Sequence, residues 1–166
     1  MGVVNTKSGS VTNSDAVPLV RNNAIVNGGR LRCAVDYVAV AAADDDTSVY
    51  RVIRLHSNCR VDSLLLYNTA ITAGTSYDVG IYKTAADGGA VVDADAFGSA
   101  VDLSSAHSGT DVAFEALALT SIKKTLWEVA GLSADPNCYY DIALTANTVG
   151  TAAGTIALKA YYVTNS

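Results

Sequence analysis

The sequence predicts an all-β protein, an antiparallel β-sandwich or jelly-roll with one short helix and an extended N-terminal arm. Three observations lead there. Apolar and polar residues alternate over several short runs, the period of a strand with one buried face. Turn signals recur about every ten residues. Only one segment has helical spacing. A closed barrel is the second reading of the same pattern.

Residues 1–23, MGVVNTKSGSVTNSDAVPLVRNN, are polar and carry no sustained periodicity. They are read as an extended arm, and residues 24–166 as the β-sandwich domain. Within the arm, Val17, Pro18, Leu19 and Val20 form a short apolar patch that is costly to leave in water. That patch is the candidate contact, placed either on the domain itself or on a neighbouring subunit.

After the Asn27-Gly28-Gly29 turn, Leu31, Cys33, Val35 and Tyr37 alternate with Arg30, Arg32 and Asp36, predicting a strand with Leu31 and Val35 buried. The Asp44-Asp45-Asp46 run ends it. Thr47 to Ser57 is β-branched and aromatic-rich, and Asn58 turns the chain into a strand over Arg60 to Tyr67. There Leu64-Leu65-Leu66 predicts burial on both faces. Thr72-Ala73-Gly74 marks another turn, and Tyr77, Val79 and Ile81 alternate with Ser76, Asp78 and Gly80. Asp87-Gly88-Gly89 supplies positive-φ positions for a hairpin-like reversal before Ala90-Val91-Val92. Ile122, Leu126, Val129 and Ala130 lie at helical spacing, with Ser121 as N-cap and Gly131 as stop, so a helix over 122–130 is predicted to face the sandwich. Two last strands carry Tyr140, Ile142 and Leu144, then Ile156, Leu158 and Ala160.

Composition bounds the function. A chain of 166 residues suits one domain. Its 27 Ala and 20 Val against 2 Phe and 1 Trp favour thin, close-packed layers. Only 16% of residues are charged, so much of the surface is Ser, Thr, Asn and Ala, or is covered by something else. A net charge of -5, with no basic cluster beyond Lys123-Lys124, argues against a nucleic-acid partner. No apolar run is long enough for a membrane helix, and no signal peptide is predicted. Cys33, Cys59 and Cys138 lack metal spacing and read as buried free thiols made in a reducing cytosol.

The search for chemistry is brief. His56 and His107 are the only histidines, and no nucleophile or phosphate-binding motif accompanies them, so the chain is not read as an enzyme and no catalytic residue is named. His56 is expected on a polar strand face or at a subunit contact. Asp44–Asp46 and Asp87, Asp93 and Asp95 lack the spaced ligands of a calcium loop and read as solvated turns, so no metal or cofactor is expected. Tyr139-Tyr140 and Tyr161-Tyr162 place aromatics on both faces of the last strands, one of each pair for the core and one for an interface or a sugar.

Residues 28–97, GGRLRCAVDYVAVAAADDDTSVYRVIRLHSNCRVDSLLLYNTAITAGTSYDVGIYKTAADGGAVVDADAF, resemble small structural proteins of tailed-bacteriophage heads. Residues 114–163, FEALALTSIKKTLWEVAGLSADPNCYYDIALTANTVGTAAGTIALKAYYV, extend the resemblance. It implies a head decoration, or cement, protein: a virion subunit made in the host cytoplasm that sits outside the capsid and bridges major capsid subunits. A homotrimer at a three-fold position is the matching assembly. A tail, fibre or glycan-binding jelly-roll of the virion is the alternative.

Overall fold

The computed structural model describes residues 4–164 and contains eight strands: β1 (Arg30–Val40), β2 (Val49–His56), β3 (Arg60–Asn68), β4 (Ser76–Lys83), β5 (Val91–Asp102), β6 (His107–Asp111), β7 (Tyr139–Thr148) and β8 (Gly154–Thr164). They form two four-stranded antiparallel sheets, ordered β1-β8-β3-β6 and β2-β7-β4-β5. The pairs β1–β8, β2–β7, β3–β6 and β4–β5 nest inside one another, and the cross-pairs β3–β8 and β4–β7 roll that long hairpin into two sheets. This is jelly-roll topology, so the predicted fold class holds.

The core lies between the sheets. Val79, Ile81, Ile142, Leu144, Ile156 and Leu158 are fully buried, as their spacing predicts. The Tyr50 and Tyr77 rings lie 6.0 Å apart, with Phe97, Leu103 and Leu126 in the same cluster. Leu64 and Leu66 are buried, whereas Leu65 is half-buried on the outer face of its sheet. Behind Ile81 the packing is tight enough to demand glycine. A Cβ at Gly80 would lie 2.2 Å from the carbonyl oxygens of Asp93 and Ala94, where β5 breaks register against β4.

The first strand departs from expectation. Leu31 and Val35 are 61% and 65% exposed, because β1 turns Leu31, Cys33, Val35 and Tyr37 outward and Ala34, Val38 and Val40 toward the core. Val40 closes the core at one end. Towards the other end the inward positions are Arg32 and Asp36, on the open side of the sandwich beside β2.

The helix is also shorter than expected. Thr125, not Ser121, caps it: Thr125 and Glu128 form a reciprocal capping box at the start of α2 (Leu126–Val129). The preceding turn, Leu119–Ser121, is 3₁₀, and Ile122 is exposed. Leu126 alone is fully buried, with Val129 half-buried against the core. Docking is fixed by the backbone, since the N–H groups of Leu126 and Trp127 donate to the Cys59 and Ser57 carbonyls in the β2–β3 turn at 2.8 and 3.1 Å.

Candidate interaction surfaces

Residues 4–23 build a small knob rather than a straight arm. Ser8 caps a polar helix, α1 (Gly9–Ser14), none of whose residues is buried. Asn22 ties its end back to Asn13 and to the Ser10 carbonyl at 2.9 and 3.1 Å, and Lys7 pairs with Asp15 at 2.7 Å. The tip between them presents Val17, Leu19 and Val20, all exposed, with Val17 at 98%, and Pro18 exposed beside them. The first buried residue among those described is Ile25, whose carbonyl accepts from Arg60 Nε at 3.1 Å on β3. The sequence-predicted contact patch therefore stands in solvent at the end of a hydrogen-bonded loop, whose helix is also tied to the following chain by Asn27 Nδ2 donating to Ser10 Oγ at 2.9 Å.

A second apolar surface is one that the sequence pattern did not reveal. On the outside of the β1-β8-β3-β6 sheet, Leu31, Val35 and Tyr37 lie side by side with Cys33, and the register sets Cys33 opposite Tyr161 and Tyr37 opposite Ala157. Leu65 and Tyr67 continue the strip on β3 across from Lys159 and Ala157. Its one cation, Lys159, lies 5.0 Å from the Tyr161 ring. The signal was in the alternation, which marks an apolar face without saying which way that face points.

The remaining candidates resolve into structure. The Nδ1 of His56 accepts from the Asn58 N–H at 3.3 Å, and its ring meets Tyr139 edge-on at 5.0 Å. His107 Nδ1 bonds Asn68 Oδ1 at 2.7 Å, and Asn68 spends its amide on the Leu103 and Ser105 carbonyls, holding the β5–β6 loop. Asp44 accepts from the Ala41 N–H and the Tyr50 hydroxyl, both at 2.8 Å, and these bonds lower its pKa. Asp46 accepts from the Val149 N–H at 2.8 Å. Asp93 is pushed up by burial and by its neighbour Asp95. No group of three metal-ligating side chains occurs among the described residues.

The strongest polar cluster is a staple. Asp141, buried on β7, accepts from Arg54 Nε at 2.7 Å and Arg51 at 3.1 Å on β2. Arg51 reaches on to the Lys83 and Gly89 carbonyls at 2.7 and 2.6 Å, and lies over the Tyr82 ring. Its bonds tie three strands and the β4–β5 reversal together, which makes it structural. These arginines also line an open groove of about 530 Å³ between β1 and β2. Next to it, Arg32, His56, Asn58 and Tyr139 line a groove of about 350 Å³.

The three thiols are free. Cys59 is buried, which raises its pKa, Cys138 is half-buried and Cys33 is exposed on the outward face of β1, so the expectation of three buried thiols holds only at Cys59.

No protein-family model matches the chain, and no curated protein does. Among solved structures, phage capsids are similar. A chain in the capsid of Ralstonia phage GP4 superimposes with a TM-score of 0.59 at 15% identity, covering 83% of this chain and 86% of that one. A chain in the capsid asymmetric unit of cyanophage Pam1 gives 0.53 at 12% identity, covering 81% and 85%. What they share is the fold. At 15% and 12% identity no contact residue transfers.

Proposed function

We propose that this chain is a decoration, or cement, protein of a tailed-phage head, binding outside the capsid lattice and stabilising it by bridging major capsid subunits. The observation that carries the reading is the jelly-roll shared over four-fifths of the chain with chains in two phage capsids. Two features support it. The molecule exposes an apolar sheet face and an apolar loop tip, more than a solitary small domain has use for. Its most developed polar cluster, Asp141 with Arg51 and Arg54, is spent on holding the strands together.

In this reading Val17, Pro18, Leu19 and Val20 reach a neighbouring subunit, and the chain self-associates as a homotrimer around a three-fold position. Binding only the expanded lattice stabilises it by mass action. The test is to add the purified chain to expanded and unexpanded heads, then locate it by cryo-electron microscopy. Density on the outer shell of expanded heads is expected. Density confined to the tail, or no binding to heads, overturns the proposal.

A tail or glycan-binding module is the second reading, favoured by one observation. Tyr139 is exposed at the rim of the groove it shares with His56 and Asn58, an aromatic beside polar groups that suits a sugar. Glycan binding lost in Tyr139→Ala, together with tail density, would select it.

A further inference from the structure

We propose that β1 pairs with β1 of a second copy of this chain, antiparallel, about a two-fold axis passing through Ala34. The inference concerns the free chain and stands or falls apart from the capsid reading.

The first ground is the edge itself. Four strands end the two sheets: β1 and β6, β2 and β5. Three of them are blunted. β2 breaks register between Arg51 and Ile53, β5 breaks it three times against β4, and β6 is five residues long with a break of its own. Breaks and shortness of this kind stop a sheet from growing. β1 has neither: its eleven residues pair with β8 without a break, and it contains no proline.

The second ground is charge. β1 carries Arg30, Arg32 and Asp36, which would oppose pairing with most strands. Pairing about Ala34 is different. Arg32 then lies opposite Asp36 of the second copy, and Asp36 opposite its Arg32, so the same contact is made twice. Leu31 meets Tyr37 and Cys33 meets Val35, which joins the two apolar outer strips into one surface. The ladder runs over residues 30–38, almost the whole strand. Centring on Val35 would set Arg32 against Val38, and centring on Cys33 would shorten the ladder to residues 30–36. An odd shift would place apolar side chains opposite polar ones.

The third ground is the backbone. The Tyr37 N–H donates to the adjacent Asp36 Oδ1 at 2.8 Å, as an N–H directed to the open side of an edge strand does when no partner strand is present. In the pair that N–H reaches the Leu31 carbonyl of the second copy, and the carboxylate is released towards the opposite Arg32. Arg32 has a partner within its own chain as well, and a guanidinium with five N–H donors can serve both. The product is one eight-stranded sheet with an isologous, self-closing contact. Because it is two-fold, it is separate from any three-fold contact and could link one trimer to the next.

The test uses the full chain. Sedimentation of the wild type should show reversible dimers. Asp36→Lys, which sets like charges opposite each other twice, should weaken them roughly tenfold or more. Arg32→Asp combined with Asp36→Lys should restore them. In a Cys33→Ser background, Ala34→Cys should form a disulfide-linked dimer under mild oxidation, since position 34 faces itself across the axis. A wild type that stays monomeric at high concentration overturns the proposal. So does a dimer indifferent to Asp36→Lys, or one that cross-links through native Cys33 and not through a thiol introduced by Ala34→Cys.

Discussion

Strands β4 and β1 have the same alternation and opposite fates. β4 turns Tyr77, Val79 and Ile81 inward, all at 0% exposure, in the centre of one sheet. β1 turns Leu31, Val35 and Tyr37 outward, at the margin of the other. The apolar area of β4 therefore stabilises the fold, while that of β1 adds little to it and is available to a partner. An apolar stripe on a strand says that something covers it; the position of the strand in its sheet decides whether that something is the same chain.

The comparison breaks first at the core. Ile81→Ala should cost about 2–5 kcal/mol in urea denaturation, and Leu126→Ala a similar amount, because both leave a cavity among well-packed neighbours. A loss below about 0.5 kcal/mol at Leu126 would show that α2 is not docked through that side chain. Asp141→Ala comes next, at about 1–3 kcal/mol, less than a fully buried pair because Arg51 and Arg54 regain water. Val35→Ser, by contrast, should lower stability by no more than about 0.5 kcal/mol while reducing self-association. Should Val35→Ser destabilise as much as Ile81→Ala, the contrast between the two strands is false. Deleting residues 1–23 should leave the melting transition nearly unchanged, read by calorimetry, and weaken binding to expanded heads.

The smallest effects are in pH. Tyr77 and Tyr140 are each pushed up to about 12, chiefly by burial. The folded state thus holds their protons more tightly than the unfolded chain does. Their contribution is whole below about pH 10 and is lost as the pH rises from there to about 12. Tyr77→Phe should flatten that alkaline limb. At the acid end the sign reverses. Asp44 is lowered by its bonds to the Ala41 N–H and the Tyr50 hydroxyl, so its contribution is present above the ordinary carboxylate range and fades as the pH falls through its own pKa. Asp44→Asn should make the acid limb shallower in a pH series of melting temperatures.

Much of the fold was legible because β4, β7 and β8 put one chemistry on each face and turn at glycine or asparagine. The inward direction of β1 was not legible, since its apolar and charged sides are equally regular. Thr125-Leu126-Trp127-Glu128 held the cue for the start of α2, but the apolar spacing from Ile122 drew the boundary early. α1 was invisible, as a polar six-residue helix has no apolar stripe. The candidate contact at Val17–Val20 was legible only as a patch with nowhere to go. The strip on β1 needed the sheet order before it could be seen.

The nested order of the strands also sets a schedule. β4 and β5 meet across a short reversal, whereas β1 waits for β8, the last strand in chain order, and β8 must seat between β1 and β3. Closing short loops before long ones makes the β4–β5 hairpin the earliest assembled part and the β1 margin the latest. By the same arithmetic β1 is the first to peel away. In hydrogen exchange the amides of Leu31 to Tyr37 should turn over ahead of those of Val79 to Tyr82, and a chain stalled before β8 would hold only half a sandwich.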